Sequence, residues 1–242
     1  MAAQGFFITG TDTGVGKTVV TACLLSLYRK HRLNVGVMKP IETGVDPECS
    51  SSANSDAKFL MEVSQCSDPL SHVCPVRLKT AASPFQAAKM ENRPINIDQI
   101  IENFRLLADK YENLLVEGVG GLLVPLQSNY LVCDLIRDLG LPLLVVSRNA
   151  LGTLNHTLLT LRVAQQEGLP VRAVVLNRTE PGDNDEIERG HAEIITELAG
   201  VPVLGEIPFL GNISESSFTP ELLARLEASL DLSLLWPEKK QG

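Results

Sequence analysis

The sequence carries no basic stripe. Its 21 lysines and arginines are dispersed among 29 acidic residues, and the formal net charge is −8. That balance argues against nucleic acid or an anionic membrane as the main partner. No apolar run is long enough to span a bilayer: the stretch from Leu131 to Ser147 is interrupted by Asp134, Arg137, Asp138 and Pro142. The N-terminus runs almost directly into a first strand, so no signal peptide is expected and the expected compartment is cytoplasmic. The five cysteines, Cys23, Cys49, Cys66, Cys74 and Cys133, contain no CxxC pair. Cys66, His72 and Cys74 lack a fourth ligand at a usual spacing, which favours reduced cytosolic thiols over a metal site. Neither internal repeats nor linker composition occur, so residues 1–242 are read as one domain, with a frayed tail over Glu238–Gly242.

What is present is an alternation of apolar runs and helical periodicity. With 44% hydrophobic residues, the chain is able to bury one sizeable α/β core. Strands are expected over Gly5–Thr9, Val35–Lys39, Leu114–Glu117, Leu143–Ser147, Ala173–Asn177 and Val203–Ile207. They read as near-continuous Val/Ile/Leu runs, as parallel strands covered on both faces do. Helices are expected near Val19–Arg32, Asp98–Tyr111, Val132–Leu139, Thr153–Glu167 and Asp185–Leu198. A last helix, near Pro220–Leu234, has Thr219 as N-cap and Pro220 at its first position. This pattern predicts a doubly wound, mostly parallel sheet with helices on both faces; the Gly-Lys-Thr loop at residues 10–18 makes the expected fold one of P-loop NTPase type. From Glu42 to Asn96 the rhythm breaks: a polar loop from Pro47 to Ser55, short helical pieces and prolines, with no convincing strand. A loop region that long usually serves a ligand.

The densest information lies at Thr9-Gly10-Thr11-Asp12-Thr13-Gly14-Val15-Gly16-Lys17-Thr18. A strand, a glycine-bearing loop, Gly-Lys-Thr and a helix together make a phosphate cradle. Backbone N–H groups of Asp12 to Thr18 wrap the phosphates, and the helix N-terminus adds partial positive charge. Lys17 reaches the terminal phosphates, and the Thr18 hydroxyl is set to ligate Mg²⁺. The spacing departs from the standard loop, because Thr11 stands where a glycine is usual and Gly10 comes one position early. Some P-loop ATPases carry a second lysine near the loop's start, whereas this chain has Asp12. Another cation must compensate, and Lys39 is the candidate.

In an open α/β sheet, ligands bind beyond the carboxyl ends of the strands. Lys39 ends the second run and reads either as a solvated strand-end lysine or as a cation for the γ-phosphate. Glu117 ends a buried run, where P-loop proteins put the acid that holds or orders Mg²⁺. Without a cation it would be expensive to bury. Gly118-Val119-Gly120-Gly121 then lets a ligand approach the backbone. Asp56, in Asn54-Ser55-Asp56, is locally read as an N-cap or first-turn acid, with the cap preferred, ahead of a further Mg²⁺ ligand. Gly152-Thr153-Leu154-Asn155 starts a helix whose exposed N–H groups serve either simple capping or an anion such as a carboxylate. Asn177 has both donor and acceptor for adenine, and Gly205-Glu206-Ile207-Pro208 offers a wall for the base.

Taken together, these motifs resemble the dethiobiotin synthetase family over about Gly5 to Leu210. The resemblance rests on residues 9–18, Lys39-Pro40, Asn54-Ser55-Asp56, Val116-Glu117-Gly118-x-Gly120-Gly121, Gly152-x-x-Asn155-His156, His191-Ala192-Glu193 and Gly205-Glu206-Ile207-Pro208. It implies an ATP- and Mg²⁺-dependent enzyme that joins CO₂ (or bicarbonate) to 7,8-diaminopelargonate and closes a ring, through a carbamate and a carbamic–phosphoric anhydride. It also implies roles. Lys17 and Lys39 neutralise the γ-phosphate and carbamate, while Thr11 and Thr43 hydrogen-bond the reacting group near the Gly118 backbone. Thr18, Asp56 and Glu117 hold Mg²⁺, which moves Asp56 from cap to ligand. Asp12, Thr13, Gly14, Val15, Gly16, Asn177 and Pro208 surround the nucleotide. Gly152, Thr153, Leu154 and Asn155 receive the substrate's carboxylate across a homodimer interface. Three positions depart from some members: Gly14 replaces a glutamate, Thr43 a serine, and Ile194 a tyrosine that helps hold the carboxylate.

The competing reading is an ATPase switch of the chromosome-partition or septum-positioning type. It would want a lysine at position 12, a membrane-tethering helix or a basic face, whereas the C-terminal pattern carries Glu221, Glu227 and Asp231. A cobyrinate amidase would need a cysteine-bearing glutaminase domain, for which the chain is too short.

Overall fold

The computed structural model describes residues 4–46, 55–182 and 186–236. The first half contains β1 (Gln4–Gly10), α1 (Lys17–Lys30), β2 (Val35–Met38), β3 (Ile41–Thr43), α2 (Asp56–Ser64), α3 (Leu70–Val73), β4 (Val76–Leu78), α4 (Pro84–Met90), α5 (Ile97–Lys110) and β5 (Asn113–Glu117). The second half contains β6 (Pro125–Gln127), β7 (Tyr130–Leu131), α6 (Val132–Leu139), β8 (Leu143–Arg148), α7 (Thr153–Gln166), β9 (Val171–Asn177), α8 (Glu186–Ala199), β10 (Val203–Ile207) and α9 (Pro220–Ser229).

Six strands form one parallel sheet in the order β10-β9-β8-β1-β5-β2. Alternate residues of the same strand go to opposite cores. Phe7, Leu114, Val116, Leu143, Val145 and Val174 pack on one face with α5 to α8. Phe6, Ile8, Leu115, Leu144, Val146 and Val175 pack on the other with α1, α2 and α9. Both faces are therefore dry, which is why these strands read as unbroken apolar runs. Each large apolar side chain buried this way contributes about 1.5–3 kcal/mol. β1 lies between β5 and β8, so the chain crosses over on both sides of it. That switch point opens a crevice at the carboxyl ends of the strands.

All six expected main-sheet strands are present, within two residues at each end. The region from Glu42 to Asn96 needs correction: β3 and β4 pair in parallel, with Ile41 beside Val76 and Thr43 beside Leu78. Three-residue strands so far apart in sequence are too short for any period to show. β6 and β7 add an unexpected antiparallel ribbon. Thr219 does cap α9, accepting from the Leu222 N–H at 3.4 Å. The helix stops at Ser229 rather than Leu234, because Leu230 bridges to Gly205 and a 3-10 turn follows over Leu232–Leu234. Most of the Pro47–Ser55 loop (all but Ser55), Asn54, Cys49, the expected helix start at Asp185 and the Glu238–Gly242 tail lie outside the described residues. Cys23, Cys66, Cys74 and Cys133 are free thiols.

Candidate active site

The phosphate loop occupies the switch point, between the end of β1 and the start of α1. Gly16 caps α1 at φ 90°, a left-handed conformation that side chains rarely adopt. A Cβ there would stand 2.1 Å from Asn177 Nδ2. That amide instead donates to the Val15 carbonyl at 2.9 Å, tying the loop to the end of β9. Its Oδ1 is buried without a hydrogen-bond partner among the described residues. The first turn of α1 holds no acid, so nothing in the helix itself offsets its positive N-terminus. Lys17 folds back so that its Nζ donates to the Asp12 carbonyl at 3.2 Å, while the Asp12 carboxylate accepts from the Thr13 N–H at 2.7 Å. Burial, and then the neighbouring Lys39 ammonium, lower the Lys17 pKa; Glu117, Asp56 and Asp12 act against them.

Register brings the next charges together. Met38 pairs with Val116, so the residues that follow, Lys39 and Glu117, emerge side by side. Lys39 Nζ donates to Glu117 Oε1, contacts the Gly118 carbonyl at 3.4 Å and lies 3.3 Å from Asp56 Oδ2. The Thr18 hydroxyl donates to the same Glu117 oxygen at 2.9 Å. Lys39 is 4% exposed and Glu117 is 0% exposed, which excludes the solvated strand-end reading of the lysine. Burial alone would lower the Lys39 pKa, but the Glu117 and Asp56 charges outweigh it and raise the pKa, so Lys39 stays an ammonium. Glu117 Oε2 is buried with no hydrogen-bond partner among the described residues.

Asp56 is not the cap of α2. Ser55 is: its hydroxyl accepts from the Lys58 N–H at 3.3 Å. Of the two local readings, Asp56 is therefore the first-turn acid, with its carboxylate turned to Lys39. The start of α2 is in turn held by Glu42, whose role the sequence did not reveal. The Glu42 carboxylate accepts from the Ser55 hydroxyl at 2.8 Å and from the Asp56 N–H at 2.5 Å. Burial raises its pKa, opposed first by the Ser55 hydrogen bond. Thr43 follows on the same strand. No hydrogen bond among the described residues joins it to the cluster.

On the other side of the loop, Thr11 Oγ1 lies 3.4 Å from the Ser147 hydroxyl, which touches Thr153 and Thr157 at the start of α7. Gly152 and Asn155 are exposed there, Leu154 is half-buried, and Leu151 is 91% exposed. His191 is buried on α8, its Nδ1 2.8 Å from Asn149 Oδ1 just before that helix start. Pro208 helps line a cleft of about 410 Å³ with Arg178, Glu206 and Phe209, next to the end of β9. A larger cleft of about 700 Å³, lined by Arg29, Arg32, Asn34 and Phe218, contains none of the residues with expected roles. Arg148 stands on the same side of the loop. It is exposed at the end of β8, its guanidinium 3.9 Å from where a Gly14 Cβ would stand.

An AAA domain family model matches residues 4–217. An ATP-dependent dethiobiotin synthetase of Thermodesulfovibrio yellowstonii is 39% identical over 237 residues, 95% of this chain and 99% of that protein. The enzyme of Bacillus subtilis (strain 168) is 36% identical over 232 residues, 96% and 97% of the two chains. That of Anaeromyxobacter sp. (strain K) is 44% identical over 191 residues, 79% and 84%. Among solved structures, a ParA family ATPase from Chlorobium tepidum superposes with a TM-score of 0.52 at 15% identity, over 98% of this chain and 94% of that one. The MinC:MinD cell division complex of Aquifex aeolicus gives 0.55 at 15% identity, over 92% and 86%. Those two likenesses describe the fold alone. Sequence identity over nearly the whole of both chains goes further: this chain belongs to the ATP-dependent dethiobiotin synthetase family.

Proposed function

We propose that the chain, working as one cytoplasmic domain in a homodimer, makes dethiobiotin from 7,8-diaminopelargonate, CO₂ and ATP in three steps. One amine attacks CO₂, loses a proton and becomes a carbamate. A carbamate oxygen then attacks the γ-phosphorus, the bond to ADP breaks, and a carbamic–phosphoric anhydride forms. Finally the second amine attacks the activated carbon and loses a proton, phosphate leaves with the bonding pair, and the five-membered ring closes. No step asks for a protein nucleophile. The protein aligns reactants and offsets negative charge.

The observation that carries this reading is the convergence of Lys17, Lys39, Thr18, Asp56 and Glu117 at the mouth of the phosphate loop. Lys17 and Lys39 neutralise the γ-phosphate and the carbamate; Thr11 and Thr43 hydrogen-bond the group in transfer beside the Gly118 backbone. Asn177 and Pro208 flank the base. The start of α7 in a second copy, Gly152 to Asn155, receives the substrate carboxylate, and the exposed Leu151 beside it is apolar surface for that contact. Thr18, Asp56 and Glu117 would hold Mg²⁺. They present only oxygen, as a hard cation prefers, and the unpartnered buried Glu117 Oε2 fits a ligand role. Among the described residues no cluster of three His, Cys, Asp or Glu makes a metal site by itself, so nucleotide phosphates would complete the shell. Bound there, Mg²⁺ neutralises phosphate charge.

A partition-type switch would share this fold but would place a lysine where Asp12 stands. Among the described residues no helix is long and apolar enough to cross a membrane. The test is direct. Diaminopelargonate, ¹³C-bicarbonate, Mg²⁺ and ATP should yield a cyclic urea carrying one ¹³C by mass spectrometry. ATP turnover without that product overturns the proposal.

A further inference from the structure

In strand β8 the run Leu143-Leu144-Val145-Val146 is followed, one residue before the strand's end, by Ser147, a hydroxyl-bearing residue that is 1% exposed. A buried hydroxyl is unfavourable unless it is hydrogen-bonded, and this one has three hydroxyl neighbours. Ser147 Oγ lies 2.7 Å from Thr153 Oγ1, 2.7 Å from Thr157 Oγ1 and 3.4 Å from Thr11 Oγ1. Thr153 and Thr157 are themselves buried, one turn apart on α7. Thr11 is held beside Ser147 by its own backbone, its N–H donating to the Val146 carbonyl at 3.0 Å.

We propose that Ser147 is a positioning residue: it makes the Thr11 hydroxyl a donor toward the reacting group and ties the phosphate loop to the start of α7. A hydroxyl donates one hydrogen bond and accepts two, so three neighbours use its whole capacity. Two polarities are open to the cluster. If Thr11 donates to Ser147, its proton is spent inside the protein. If Ser147 donates to Thr11, it accepts from Thr153 and Thr157, and the Thr11 proton is free to point outward. Negative charge arriving beside Thr11 selects the second polarity, because all the O–H dipoles then point their positive ends toward it. No heavy atom has to move, so the stabilisation is pre-built. The same bonds hold the first turn of α7, the segment proposed to bind the substrate carboxylate. The inference rests on the reading that Thr11 touches the group in transfer.

The test is a cycle of Thr11→Val, Ser147→Ala and the double variant in the full-length enzyme, with kcat, substrate KM and nucleotide affinity measured for each. Loss of one such hydrogen bond is expected to lower kcat about tenfold in each single variant. Nucleotide affinity should change less than about twofold, because Ser147 acts on the reacting group rather than on the cradle. The double variant should be no slower than Thr11→Val alone, since Ser147 acts through Thr11. Ser147→Cys fills the site with a slightly larger, weaker donor and is taken through the same cycle, so that a folding defect in the alanine variant does not decide the matter. If Thr11→Val leaves kcat unchanged, the assignment of Thr11 fails and the role of Ser147 with it. If Thr11→Val slows turnover but Ser147→Ala does not, or the two losses multiply, the role of Ser147 alone is overturned.

Discussion

Replacing Lys39 by methionine keeps the length of the side chain and removes its charge. Glu117, fully buried, would be left with only the Thr18 hydroxyl at its paired oxygen. Asp56 is 47% exposed and turns to solvent at little cost. Removing one partner of a buried pair costs about 3–5 kcal/mol, because the other charge stays desolvated. In a chain of this size about 1 kcal/mol moves the melting midpoint by roughly 2–4 °C, so Lys39→Met should melt about 6–20 °C lower. Adding Glu117→Gln removes the stranded charge and should restore most of that loss. The dependence on pH follows from the raised Lys39 pKa. The lysine's stabilisation is complete below its ordinary value of 10.5 and is lost only as pH rises through the higher folded value. The gap between wild type and Lys39→Met should therefore stay level from about pH 6 to 9. Calorimetry at several pH values measures it. Turnover should fall at least about a hundredfold while nucleotide binding persists. Equal midpoints for the single and double variants would refute the ion-pair reasoning.

Three further outcomes follow from the same geometry. Gly16→Ala forces a side chain into a left-handed conformation and against Asn177, so nucleotide affinity should fall more than tenfold on titration; unchanged affinity would mean the loop is not held by that contact. Asp68 accepts from Lys110 and Tyr111, each at 2.6 Å, and from Cys66. Burial would raise its pKa, but these bonds outweigh it and lower the pKa below the ordinary 3.8. Its stabilisation is thus present above about pH 3.8 and is lost as pH falls through the folded value. Asp68→Asn should cost about 1–2 kcal/mol at pH 7, with the difference closing in acid; a constant difference down to pH 2 would contradict this. Lastly, diaminopelargonate methyl ester should bind at least about tenfold more weakly than the free acid, because a helix N-terminus favours the carboxylate. Equal affinity in calorimetric titration would remove the carboxylate anchor.

The main sheet and the strand-end charges were legible in the sequence for one physical reason. Parallel strands buried on both faces leave apolar runs, and the first polar residue after each run stands over the crevice. Lys39, Glu117 and Asn177 are all found that way. Asp56 was ambiguous because Ser55 and Asp56 are both capping types, and only the distance to Lys39 separates a cap from a first-turn acid reaching the site. Glu42 was hidden because its partners come from the start of α2, thirteen and fourteen positions on, where no local pattern links them. Ser147 was hidden among β8 valines, since its three hydroxyl neighbours come from two other elements. The β3–β4 pair was invisible because its strands are three residues long.

The most direct measurement follows oxygen from CO₂ to phosphate. If a carbamate oxygen attacks the γ-phosphorus at this cluster of lysines, ¹⁸O-labelled bicarbonate, mixed rapidly with enzyme, diaminopelargonate, Mg²⁺ and ATP, should place one ¹⁸O in each phosphate released with dethiobiotin. Phosphate free of label, formed alongside dethiobiotin before the bicarbonate exchanges with water, would contradict it.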